Sequence, residues 1–184
     1  MPVPMAVDVA EVARERVVAW HPVADDRSIV LIATAAGAGS GLGSALGVGR
    51  SAGTPVLAWI GEGHLEQILD NLIANALDAL SPGNMVRLTT SPTAAGVRIT
   101  VADNGPGMSA EDRDRALLRF TTSSPNGTGL GLAIVHRLAT SNGGTARLDE
   151  TPGGGLTVTL DFPGAPVPNG SAPSSTSVHD AISM

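Results

Sequence analysis

Apolar residues recur at helical spacing in some stretches of the chain and alternate with polar ones in others, and these two periods divide it into elements. The strongest helical pattern spans residues 65–80. There Leu65, Ile68, Leu69, Leu72, Ile73, Ala76, Leu77 and Leu80 fall at i, i+3, i+4, i+7 and make one continuous apolar face. A second helix is predicted over 8–20, with Asp8 as its N-cap and a stripe of Val9, Val12, Ala13, Val17 and Trp20 that Arg16 interrupts. A third follows Gly131 and is stopped by Asn142-Gly143-Gly144, and a short charged helix opens after Ser109 and reaches about Leu118. Strands are expected at 28–33, 56–60, 86–90 and 97–102. In the last of these, Val97, Ile99 and Val101 alternate with Arg98 and Thr100. Residues 145–149 and 156–162 read as a closing hairpin joined by Pro152-Gly153-Gly154-Gly155. Residues 1–7 read as linker or disorder, 8–163 as one folded domain, 37–53 as a flexible Gly/Ala/Ser loop within it, and 164–184 as a disordered Pro/Ser-rich tail.

The polar side of the 65–80 helix is unusual. Gln67, Asn71, Asn75 and Asp78 stack about one per turn away from the leucines. A solvated face would serve equally well with lysines and glutamates. Asparagine is a mediocre helix former, so two of them in mid-helix favour a functional stripe. An asparagine oxygen is a hard, neutral ligand that suits Mg²⁺, which takes its other ligands from water and phosphate. A second candidate is Asp103-Asn104-Gly105-Pro106-Gly107-Met108, placed after a strand. It reads as a turn, but a carboxylate at a strand end also accepts a hydrogen bond from an exocyclic amine such as that of adenine. The third is Gly127-Thr128-Gly129-Leu130-Gly131-Leu132, which runs into a helix whose first N–H groups and positive dipole end form an anion site.

Composition narrows the chemistry. All eleven basic residues are arginine, so neither a P-loop nor a eukaryotic-type protein kinase set can be built. Cysteine is absent, which removes disulfides, thiolate metal sites and a cysteine nucleophile. The four histidines lie far apart, without ligand spacing. Apolar residues make up 42% of the chain, enough for a core. Two Phe, two Trp and no Tyr make that core aliphatic. The net charge of −6 argues against nucleic acid as a partner. No apolar run reaches membrane-spanning length and no signal peptide is visible. The expectation is a cytoplasmic domain without direct membrane contact, which a longer membrane-anchored protein can also carry.

The order of these features resembles the ATP-binding catalytic domain of two-component sensor histidine kinases, in the superfamily that also holds gyrase, heat-shock chaperone and mismatch-repair ATPases. The asparagine box is Asn71-Leu72-Ile73-Ala74-Asn75-Ala76. Asp103, Gly105 and Gly107 match the first glycine box, Phe120 the phenylalanine box, Gly127, Gly129 and Gly131 the second glycine box, and residues 152–155 the last glycine turn. The resemblance implies an α+β fold: a two-layer α/β sandwich, mixed sheet with helices on one face, the Bergerat fold. It implies ATP and Mg²⁺ as cofactors. Asn75 would hold the metal and Asp103 the adenine amine. Asn71, Asp78, Met108, Phe120, Thr128, Leu130 and Leu132 would complete the nucleotide site with the glycines. Residues 121–128 would be a mobile lid.

Asn71 stands where hydrolytic relatives carry a water-activating glutamate, and an amide is no general base. The resemblance therefore implies phosphoryl transfer to a histidine on a dimerisation/phosphotransfer domain, with a response regulator downstream. Three departures accompany it. Residues 121–126 of the lid hold no basic residue, which leaves Arg119 as the candidate cationic phosphate contact. Leu156 occupies the place of a family threonine. The chain also holds no histidine in an acceptor motif, so that histidine belongs to a separate domain. An anti-sigma-factor-type serine kinase and a non-catalytic ATP-binding sensor module are the alternatives.

Overall fold

The computed structural model describes residues 3–35, 56–61, 63–116 and 131–165. In chain order the elements are β1 (Pro4–Asp8), α1 (Val9–Asp26), β2 (Val30–Ala35), β3 (Leu57–Gly61), α2 (His64–Ala79), β4 (Met85–Thr93), β5 (Gly96–Asp103), α3 (Ala110–Ala116), α4 (Gly131–Ser141), β6 (Thr145–Glu150) and β7 (Leu156–Pro163). Five strands form a mixed sheet in the order β2-β4-β5-β7-β6. β2 runs parallel to β4, and the other pairs are antiparallel. Period-two alternation sends Val86, Leu88, Val97, Ile99, Val101, Val158, Leu160 and Phe162 into the core. They meet the buried faces of α1, α2 and α4, including Leu65, Ile68, Leu69, Ile73 and Val135. The predicted two-layer sandwich is thus the observed architecture.

Local physics explains where the elements begin and end. Asp8 caps α1 through Oδ1, which accepts from the amides of Ala10 (3.0 Å) and Glu11 (3.3 Å). The helix then runs past the expected end at Trp20, through Pro22, to Asp26. Its last turn is held by Ala24, which is buried, and by a cap in which the Ile29 amide reaches the Ala24 carbonyl and the Ser28 amide the Asp25 carbonyl. Ser28 takes the left-handed conformation (φ 56°) that glycine usually supplies, which is why the sequence lacks the expected stop signal. Arg16, which interrupts the apolar stripe, faces Asp70 of α2 at 3.7 Å, and Trp20 Nε1 donates to the same carboxylate at 2.7 Å. These contacts pin α1 to α2.

Two expectations about the ends of the domain are corrected. Residues 4–8 are not linker but strand β1, which pairs antiparallel with β3 in a small second sheet. Proline sits at the start of this strand, where its missing N–H costs no ladder bond, so the pairing partner rather than local propensity makes the strand. Gly164 bridges to Ala58, and the Ala165 amide bonds the Leu57 carbonyl at 3.0 Å, so the chain stays ordered just beyond β7. The Gly-rich loop 37–53 and residues 166–184 lie outside the described residues.

Candidate functional site

The site is assembled on the C-terminal half of α2 and the loop after β5. Asp103 ends β5 in register opposite Val86 and is 8% exposed. Its Oδ1 accepts from the Gly105 amide at 2.9 Å and from the Leu156 amide at 3.2 Å. Both of these described bonds go to one carboxylate oxygen, which fixes the plane of the group. The loop that follows is anchored on both sides. The Asn104 side-chain oxygen accepts from the Met85 amide at 2.7 Å, and Arg113 of α3 donates to the Met108 carbonyl. Ser109 Oγ accepts from the Asp112 amide at 3.1 Å and starts α3 as expected. Asn104 and Arg113 were not singled out in the sequence. Asn-Gly reads as an ordinary turn, and Arg113 as one charge among several on an exposed helix.

The last glycine turn presses against Asp103. Gly153, Gly154 and Gly155 all have positive φ (92°, 107° and 110°). A Cβ on Gly155 would stand 2.0 Å from the Asp103 carbonyl oxygen and 2.9 Å from its Oδ1. Only glycine allows this approach. Gly107 in turn lies against the Gly155 carbonyl, and Gly105 against the side chain of Leu80, just past the end of α2.

Five residues before Leu80, the Asn75 amide meets Gly131, the first residue of α4. A Cβ there would lie 2.5 Å from Asn75 Nδ2 and 2.6 Å from Oδ1. α2 therefore touches the Asp103 loop through Leu80 and the start of α4 through Asn75. Asn75 is exposed, and among the described residues no hydrogen bond holds its amide.

Other sequence-predicted residues are placed differently. Asn71 is half-buried and donates through Nδ2 to the Gln67 carbonyl at 2.7 Å. Asp78 is exposed and forms an ion pair with Arg27 at 2.8 Å, while Arg27 also donates to the Leu77 carbonyl. Leu132 is half-buried on the first turn of α4. Arg119, Phe120, Gly127, Thr128, Gly129, Leu130 and the expected lid 121–128 lie outside the described residues.

Residues 61–166, more than half of the chain, match the family described as histidine kinase-, DNA gyrase B-, and HSP90-like ATPase. The chain belongs to this family. Its relatives are sensor kinases. It is 39% identical over 100 residues to the sensor histidine kinase ZraS of Escherichia coli K12, a match that covers 54% of this chain and 22% of that protein. It is 34% identical over 169 residues to the sensor-like histidine kinase SenX3 of Mycolicibacterium smegmatis, covering 89% of this chain and 40% of that one. Among solved structures it is similar to full-length ShkA in complex with AMPPNP, with a TM-score of 0.71 and 29% identity over 91% of this chain and 33% of that one. The chain thus spans well under half the length of these relatives. In this ATPase family member no described helix is long and apolar enough to cross a membrane.

Proposed function

We propose that the chain binds Mg-ATP and transfers its γ-phosphoryl group to a histidine on a separate dimerisation/phosphotransfer domain in two-component signalling. The observation that carries this reading is the double anchorage of α2: Leu80 against the loop of Asp103, and Asn75 against the start of α4. A carboxylate fixed by two backbone amides accepts from the adenine amine in a defined direction. The N-terminal end of α4 turns its amides and positive dipole end toward the triphosphate.

The residues fit a magnesium ion. Asn75 offers an exposed, neutral, hard oxygen donor beside that helix start, and phosphate oxygens and water complete such a coordination shell. When bound, the ion neutralises triphosphate charge. Asn71 is an amide and cannot draw a proton from water, which favours an external nucleophile over hydrolysis. In the transfer, an imidazole nitrogen attacks the γ-phosphorus, the bond to the ADP oxygen breaks, and the imidazole proton leaves to solvent. ATP-analogue binding by ShkA and the sensor-kinase names of the relatives support this reading.

The test is incubation with γ-labelled ATP, alone and with a phosphotransfer domain supplied in trans. The expected outcome is no self-labelling and acid-labile label on the supplied domain. Strong self-labelling, or acid-stable phosphoserine on the acceptor, would overturn it.

A further inference from the structure

A groove of about 430 Å³ lies between α1 and β2. Its helix wall is Arg14, Val17, Val18, His21 and Asp25, and its other wall is the consecutive run 28–33. Side chains from one face of a strand would line a groove at every second position. A consecutive run means that the backbone edge itself is the wall. β2 is the outermost strand of the five-stranded sheet, so its outer row of N–H and C=O groups has no partner strand among the described residues. Beside it stand two exposed apolar side chains, Val18 (63%) and Val30 (51%).

The helix wall carries a pattern that identifies an occupant. Arg14, Val18, His21 and Asp25 follow one another at intervals of four, three and four, the spacing of a helix–helix seam. Along that seam the order is positive, apolar, imidazole, negative. Rotated by a twofold axis between Val18 and His21, the seam meets its own complement. Arg14 falls opposite the second copy's Asp25, and Val18 opposite its His21. The same axis sets the two β2 edges antiparallel. Arg14 has no ion-pair partner among the described residues. Asp25 has only His21 within its own helix, at 3.0 Å, and remains 67% exposed.

We infer that this face is an isologous interface between two copies of the chain, in which the β2 edges join two five-stranded sheets into one and the α1 seams close over the joint. An interface made by one short strand and one helix face falls in the weak class. Sedimentation equilibrium on the full chain, taken up to about 1 mM, is therefore the measurement. A concentration-dependent dimer is expected.

Val18→Arg places like charges near the axis and should give a monomer. Arg14→Glu and Asp25→Arg should each weaken the dimer by about 10-fold or more, because an isologous interface feels every change twice. The double variant Arg14→Glu/Asp25→Arg should restore it, which separates charge pairing from damage to the fold. A wild-type chain that stays monomeric throughout would overturn the inference and leave the edge to a different partner. So would a dimer that ignores all of these changes.

Discussion

At the scale of single residues, the site depends on contacts too close for any alternative side chain. Asp103 is held by the Gly105 and Leu156 amides and backed by Gly155. If it binds adenine, Asp103→Ala removes a charge-involving hydrogen bond worth about 1.5–3 kcal/mol. ATP should then bind roughly 10- to 150-fold more weakly, measured by calorimetry on a variant shown to be folded. Unchanged affinity would remove Asp103 from the base site. Asn75→Ala should weaken Mg-ATP more than metal-free nucleotide; an equal loss of both would mean that Asn75 touches something other than the metal. The asparagine stripe was legible as a candidate because asparagine in mid-helix runs against propensity, and Asp103 because a carboxylate after a strand, followed by Gly105 and Gly107, can accept from an exocyclic amine. The pairing of Asp78 with Arg27 was not, since these residues are 51 positions apart and meet only through the packing of α1's end beside α2.

At the scale of elements, periodicity located the helices and strands of the core, and side chains set their ends. The end of α1 is the instructive case. Proline at 22 and the end of the apolar stripe at Trp20 suggest an earlier stop, yet the helix runs to Asp26 and Ser28 at φ 56° completes the cap in place of a glycine. A non-glycine residue in this conformation is strained. Ser28→Gly should therefore stabilise the protein by about 0.5–1 kcal/mol, read as a higher midpoint of thermal unfolding. A lower midpoint would mean that the serine side chain contributes more than its backbone strain costs. The glycine stop of α4 was legible, and the structure adds that Asn142 at that stop ties three elements together. Its side chain accepts from the Gly61 amide at 2.7 Å, donates to the Leu138 carbonyl at 2.7 Å and meets His64 at the start of α2.

At the scale of the whole molecule, α2 connects the core to both parts of the site, so nucleotide binding and global stability should be coupled. Mg-ATP at about 100 times its dissociation constant should stabilise the folded state by roughly 2.7 kcal/mol. For a chain of this size that corresponds to an increase of about 5–10 °C in the unfolding midpoint. Differential scanning fluorimetry with and without Mg-ATP checks this, and Asp103→Ala should reduce the shift. No shift with the unaltered chain would count against nucleotide binding at this site.

The sequence by itself determined the core helices and strands, the aliphatic core and the order of the polar boxes, because these follow from periodicity, composition and glycine placement within short windows; the sandwich itself was implied by the family resemblance that this order carries. Only the tertiary structure decided that residues 4–8 form a strand, that Gly164 and Ala165 are tied to β3, and that Asn75 meets Gly131 while Leu80 meets Gly105. Each of these depends on a partner far away in the chain. A local window carries propensity but cannot carry the backbone of a distant strand, or the absence of a Cβ that lets two elements close to contact.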